Sequence, residues 1–250
     1  MVRWKTGWVA LCRQLRTRSS VNDWPNIIQD WLYPPTCLLC GDPGQRGRDL
    51  CRPCADALPY LRRACPRCAL PHAEAGPCAA CRADPPAFDR AFALFHYQAP
   101  VDHLIRALKF GARHPCARLL GTLLADGLEG RGARPEALIP VPLHARRYRQ
   151  RGFNQTVEIA RTVARRLGIT LDLGSCRRVR ATAPQAQLSA RERHENLRAA
   201  FAVRPGVGYR HVAIIDDVVT TGATANALAQ ALRDAGVETI EVWSCARAGR

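Results

Sequence analysis

Residues 212–224 read Val-Ala-Ile-Ile-Asp-Asp-Val-Val-Thr-Thr-Gly-Ala-Thr, and they restrict the fold more tightly than any other stretch of the chain. Four consecutive apolar residues predict a strand buried on both faces. Two adjacent carboxylates, Asp216 and Asp217, are expected at its C-terminal end. A turn of small and hydroxyl residues follows, Thr220, Thr221, Gly222, Ala223 and Thr224, and then a helical pattern begins. A strand that turns into a helix is the unit of a parallel α/β sheet, whose ligands bind at the C-terminal ends of the strands. Successive N–H groups in such a turn and at a helix N-terminus cradle an anion, and Gly222 permits a backbone conformation that other residues resist. Carboxylates beside an anion are repulsive unless they grip something else. Sugar hydroxyls suit them, and Mg²⁺ can bridge a sugar to a diphosphate. The alternative is a structural strand–turn–helix with a coincidental acidic pair.

The flanking sequence repeats the strand–helix alternation. Ala137 to Val141 predicts a short buried strand, and Asn154 predicts the cap of a helix carrying Val157, Ile159, Ala160, Val163, Ala164 and Leu167 on one broad face, with Gly168 as its stop. His211 to Ile215 is a second strand, Thr224 to Ala235 a helix ending at Gly236, and Thr239 to Cys245 a third strand. Upstream, Leu104, Ile105 and Leu108 are helically spaced, as are Leu119, Leu120, Leu123 and Leu124.

Eight of the 12 cysteines form four Cys-x-x-Cys pairs, Cys37/Cys40, Cys51/Cys54, Cys65/Cys68 and Cys78/Cys81. Each pair can aim two thiolates at one ion, and two pairs make the four-thiolate set of structural zinc. Residues 37–86 hold few aliphatic side chains beyond scattered Leu, so they need such a staple to fold. Two zinc ribbons are the reading of choice; one zinc with a degenerate partner site, redox dithiols and disulfides are the alternatives. Cys12, Cys116, Cys176 and Cys245 have no paired spacing and read as buried apolar residues. The expected organisation is an extension at 1–36 with a short helix over Val21 to Leu32, a double zinc ribbon at 37–86 and an α/β domain at 87–250.

The net charge is +16, and its placement matters more than its size. Residues 141–204 hold fourteen Arg against four acidic residues, whereas residues 37–86 are nearly balanced. A positive field beside the candidate anion cradle suits a diphosphate or nucleic acid; a solvated Arg-rich surface is the bland alternative. Tyr148 and Phe153 are the only aromatics near the basic loop after the first strand, a poor platform for stacked bases. No run approaches the roughly 18 apolar residues of a membrane span, and the apolar stretch from Gly7 to Cys12 is too short for a signal peptide, so a cytoplasmic protein is expected.

The run from Val212 to Thr224 matches the signature of type I phosphoribosyltransferases. Cysteine knuckles, His103-Leu-Ile-Arg-Ala-Leu-Lys109-Phe, Pro140-Val-Pro142, Arg151-Gly-Phe-Asn154-Gln155 and the Arg178 to Asn196 segment precede it in order. Over about residues 37–245 the chain resembles the ComF family of competence-type phosphoribosyltransferase-like proteins. The resemblance implies a type I phosphoribosyltransferase-like parallel sheet domain behind a small N-terminal four-cysteine zinc-ribbon domain, with a link to incoming single-stranded DNA and competence proteins. It implies binding of 5-phosphoribosyl 1-diphosphate (PRPP) or diphosphate with magnesium, and transfer of phosphoribosyl to a nitrogen acceptor. Asp216 and Asp217 would hold the ribose, Thr220 to Thr224 the 5′-phosphate, and Arg151, Gly152, Asn154 and Gln155 the diphosphate. Arg178 to Asn196 would be a loop closing over the ligand, although it reads equally as a solvated linker. Thr220 stands where hypoxanthine-type purine enzymes place an acidic base, so the site departs from theirs. A binding protein without turnover, for PRPP or single-stranded DNA, is the other class of reading.

Overall fold

The computed structural model describes residues 34–132, 134–180 and 200–249. The helix expected at Val21 to Leu32 lies outside them. The chain divides into two compact units, Met1–Ala55 and Asp56–Arg250. In the first, Cys37, Cys40, Cys51 and Cys54 form one cluster, with the turn around Cys37 closed by an antiparallel bridge between Thr36 and Pro43. The short helix α1 (Arg52–Asp56) begins between Cys51 and Cys54.

The second unit contains a five-stranded, wholly parallel sheet. Its strands are β1 (Arg90–His96), β2 (Ala137–Pro140), β3 (Thr170–Leu171), β6 (His211–Val219) and β7 (Thr239–Arg247), in the order β1-β7-β6-β2-β3. The central strand β6 is flanked by β7 and β2, and residues 212–215 are buried, as a strand covered on both faces requires. β6 runs four residues beyond the expected Ile215, so Asp216 and Asp217 lie within the strand and not at its end. The backbone pairing with β7 continues to Val219↔Arg247, and this carries the pair inside. β1 was not expected. It is an edge strand that β7 recruits in register from Arg90↔Glu241 to His96↔Arg247.

Helices α3 (Val101–Gly111), α4 (His114–Leu128), α6 (Gln155–Leu167) and α7 (Ala223–Asp234) bury the apolar positions that their spacing picks out, Leu104, Ile105 and Leu108 in α3 and Leu119, Leu120, Leu123 and Leu124 in α4 among them. A Cβ on Gly121 of α4 would stand 2.7 Å from the Thr162 Cβ of α6, so only glycine allows these helices to approach this closely. Residues Ala145–Arg151, expected as a basic loop, form a short helix, α5, capped by His144. A two-stranded antiparallel ribbon, β4 (Cys176–Arg178) with β5 (Phe201–Val203), was also not expected; residues 181–196 of the proposed closing loop lie outside the described residues.

The second knuckle set, with helix α2 (Ala79–Ala83), belongs to the same unit as the sheet. The Ala91 N–H donates to the Pro66 carbonyl at 3.1 Å, Tyr60 bridges to Phe95, and their rings lie 4.9 Å apart. Apolar surface that the ribbon cannot bury by itself is thus covered by β1. Among the described residues no helix is long and apolar enough to cross a membrane.

Candidate functional site

Parallel strands bring their C-terminal ends to one edge, and the candidate residues gather there. Asp217 is buried, and its Oδ2 meets the Nζ of Lys109, from the last turn of α3, at 2.5 Å. Asp216 is half-buried, and its Oδ1 accepts from the Asp217 N–H at 2.9 Å. Burial, with the Asp217 charge and hydrogen bond added, pushes the Asp216 carboxyl well above the usual carboxylate range. Asp217 thus holds the Lys109 contact, and Asp216 is left to meet a cation or a hydroxyl-rich ligand, either of which would favour its ionised form. The two carboxylates expected at the ribose are thus held by different partners.

Past β6 the chain turns through Thr220 and Thr221, both exposed, to Gly222 at φ 82° and on into α7, which holds Ala223 and Thr224 in its first turn. A Cβ at Gly222 would meet only Val219 Cγ1, at 4.0 Å. Glycine is thus required by the left-handed backbone and not by crowding. Gly222 gives the helix no side-chain cap, so the turn leaves first-turn donors for a ligand, although the Ala223 N–H does reach Thr221 Oγ1 at 3.3 Å.

The basic residues converge from three elements. Arg151 ends α5 before Gly152, which caps it at φ 81°. The Arg151 guanidinium donates to the buried Gln155 Oε1. Burial lowers the Arg151 pKa, Asp217 opposes that, and Arg147 adds to it. Arg178 of β4 behaves in parallel: burial and Arg147 lower its pKa, and Asp216 raises it. The acidic pair, Lys109, Arg147, Arg151 and Arg178 thus share one electrostatic field. Beside it a cavity of about 540 Å³ is lined by Lys109, Phe110, Arg147, Arg151 and Gln155 among others.

Asn154 caps α6, as its place before the helix predicts. Its Nδ2 donates to the Val141 carbonyl at 3.0 Å and its Oδ1 accepts from the Thr156 N–H and hydroxyl, so it fastens α6 to the end of β2. Sequence reasoning met Lys109 and Phe110 only as part of a motif, with no role for either, and passed over Arg247. Lys109 carried one available signal, since it and Lys5 are the only lysines beside 35 arginines.

Both cysteine clusters have the geometry of a metal site. Within each, the four sulfurs lie within 4.8 Å of one another. Cys40 and Cys51 are 3.6 Å apart at Sγ, and Cys68 and Cys78 are 3.8 Å apart. Zinc bonded to four thiolates at about 2.3 Å has tetrahedral S–S edges of about 3.8 Å, whereas a disulfide would need about 2.05 Å. Burial pushes the Cys37 thiol up, but backbone donors at Cys51, Cys40 and Leu39 outweigh it and leave a pKa of about 6. The same balance, with donors at Cys78, Cys68 and Arg67, leaves Cys65 at about 7. Cys37 and Cys65 are thus prepared as thiolates, while their neighbours Cys40, Cys54, Cys68 and Cys81 are pushed up; the spacing of the sulfurs fits two structural zinc ions. Of the unpaired cysteines, Cys116 and Cys245 are buried and Cys176 is half-buried, its thiol pushed up to about 12 by burial; Cys12 lies outside the described residues.

Residues 28–82 match the family model of the double zinc ribbon domain. The chain is 38% identical over 221 residues to the DNA utilization protein YhgH of Salmonella typhimurium, covering 86% of this chain and 97% of that protein. It is 37% identical over 179 residues to competence protein F of Haemophilus influenzae, covering 68% of this chain and 78% of that one. Among solved structures it matches an allosteric regulatory enzyme of purine biosynthesis at 23% identity and a TM-score of 0.37, over 52% of this chain and 25% of that one. The match to a glutamine PRPP amidotransferase from B. subtilis complexed with ADP and GMP is 24% identical, also with a TM-score of 0.37, over 52% of this chain and 26% of that one.

Proposed function

The chain belongs to the ComF family, and on that premise we propose that it binds PRPP with magnesium and transfers phosphoribosyl to a nitrogen acceptor in the service of DNA uptake or utilisation. The observation that carries this reading is the convergence at one sheet edge of a half-buried carboxylate, a glycine turn opening a helix, and the basic cluster of Lys109, Arg147, Arg151 and Arg178. The turn from Thr220 to Thr224 would take the 5′-phosphate, Asp216 the ribose hydroxyls, and Arg151, with Arg147 beside it, the diphosphate. Asn154 and Gln155 serve this site through the elements they hold. In the transfer the C1–oxygen bond to diphosphate breaks with its electron pair, the acceptor nitrogen bonds to C1, and that nitrogen loses its proton. Positive charge grows on the ribose ring as the bond breaks, and Asp216 is placed to steady it. Magnesium would neutralise the leaving diphosphate. Thr220 cannot serve as a base at neutral pH, so the proton passes to the departing diphosphate or to water.

Calorimetric titration tests the reading. Asp216→Asn should weaken PRPP·Mg²⁺ binding about tenfold or more, the worth of a hydrogen bond to a charged group, and leave inorganic phosphate binding unchanged. Unaltered PRPP affinity in this variant would remove the ribose role.

One observation favours a second reading, a protein that holds single-stranded DNA without turnover. Phe110 is 78% exposed, and its ring centroid lies 5.7 Å from the Arg151 guanidinium carbon. The fold thus supplies the stacking platform that the sequence around the basic segment lacks. Fluorescence anisotropy of a labelled oligonucleotide at two salt concentrations separates the readings. If the basic cluster serves a diphosphate, PRPP should displace the strand and do so more readily at the higher salt, where phosphodiester contacts weaken with a log–log slope of about −0.7 per phosphate neutralised. Tight DNA binding that PRPP never affects, with no PRPP heat, would favour the DNA-holding reading.

A further inference from the structure

We infer that Arg247 is a positioning residue that ties the backbone of the Thr220–Gly222 turn to the second four-cysteine site, so that metal in that site holds the turn in shape. The inference rests on the reading of Cys65, Cys68, Cys78 and Cys81 as zinc ligands and does not require any particular ligand for the turn.

Arg247 ends β7 and is 4% exposed. Its Nε donates to the carbonyl of Cys68, itself one of the four ligand candidates, at 3.0 Å. Its Nη1 donates to the carbonyls of Val219 at 3.0 Å and Ala248 at 2.8 Å, and to that of Thr220. One rigid planar guanidinium, which cannot be deprotonated, thus spans knuckle and turn. Between them lies a cavity of about 440 Å³, with Cys68, Cys78 and Cys81 on one wall and Thr221, Gly222 and Ala223 on the other.

Two properties make this bridge more than packing. In a trans peptide the C=O and the following N–H point in opposite directions. Pinning the Val219 and Thr220 carbonyls on Arg247 therefore aims the N–H groups of Thr220 and Thr221 away from it, as donors for an anion on the far side. The position of the Cys68 carbonyl is set in turn by the knuckle, whose backbone closes through Ala69 N–H to Cys65 O and Cys65 N–H to Leu70 O, both at 2.8 Å, around the four sulfurs. A knuckle without metal loses its staple. The Cys68 carbonyl then no longer fixes Arg247, and the turn loses its outer support.

The test is hydrogen–deuterium exchange of residues 218–226 in the full-length, zinc-loaded protein, with zinc content measured in parallel. Arg247→Met should keep two zinc ions yet raise exchange at Asn226, whose N–H donates to the Gly222 carbonyl of the turn at 2.8 Å, about tenfold or more, as local opening becomes easier. Arg247→Lys, with a point charge in place of a fork, should fall between it and the unaltered protein. Cys68→Ser should lose one zinc and raise the same exchange, while Cys40→Ser, in the other compact unit, should lose one zinc and leave the turn unchanged. Protection of Val212 to Ile215 reports whether each variant keeps its sheet. Should Cys68→Ser lose the sheet, the two Arg247 variants carry the test by themselves. Arg247→Met with unaltered exchange at Asn226, or a folded Cys68→Ser that loses zinc with no change there, overturns the inference. A protein whose turn responds as expected but takes up no PRPP would keep the coupling and lose the ligand reading, so the two fail separately.

Discussion

Lys109→Met should lower the unfolding free energy by about 3–5 kcal/mol, the cost of leaving a buried charge without its partner. Lys109 and Asp217 are 22% and 5% exposed at their side chains and meet at 2.5 Å. Without the ammonium, Asp217 keeps its burial and loses its counter-charge, which is the source of the loss. Urea unfolding at pH 7 measures it. The double variant Lys109→Met with Asp217→Leu should recover most of the loss, since replacing both partners of a buried pair by apolar residues is often neutral. A single variant as stable as the unaltered protein at pH 7 would show that the pair does not hold α3 to β6.

Zinc removal should have the other large effect, and an unequal one. The purified protein is expected to hold two zinc ions. Cys65→Ser should lose one of them and unfold the second knuckle, because metal binding supplies about 10–16 kcal/mol of apparent folding energy in small zinc modules. Cys65 is fully buried and its sulfur accepts from the Cys78 N–H at 3.2 Å, so no other group can take its place. This knuckle shares a compact unit with the sheet, to which Arg247, Tyr60 and the Pro66 carbonyl fasten it. Cys65→Ser should therefore also lower the melting temperature of the sheet, whereas Cys51→Ser should lose zinc with the sheet transition unchanged. Metal analysis and thermal unfolding followed by circular dichroism measure these outcomes. A protein without zinc, its eight thiols oxidised in pairs under reducing cytoplasmic conditions, would remove the zinc assignment altogether.

The strand–helix alternation was legible because each element buries its own face, and burial leaves a local period. Val212 to Ile215, Ala137 to Pro140 and the stripe on α6 all carry it. The caps at Asn154 and Gly168 were legible for the same reason, since a helix end is satisfied by residues within a turn of it. β1 was not, because an edge strand of mixed burial shows neither clean alternation nor a continuous apolar run. The full length of β6 was hidden by Asp216 and Asp217, whose charge suggests a loop until β7 and Lys109 supply their partners.

The chain's own residue order decided which chemistry was available: eight thiols in four pairs, an acidic pair next to a glycine turn, and an arginine-rich segment. These signals depend on spacings of a few residues, which the backbone turns into fixed geometry with little help. Tertiary structure alone decided how they are shared out. It gave Asp217 to Lys109 and left Asp216 without a lysine partner. It turned Asn154 inward onto the Val141 carbonyl, brought Phe110 beside Arg151, and reached from Arg247 back to Cys68. Contacts between separate elements, from 13 to 179 residues apart along the chain, leave no periodic trace in the sequence, because they are selected by the packing of whole elements and not by neighbours along the chain.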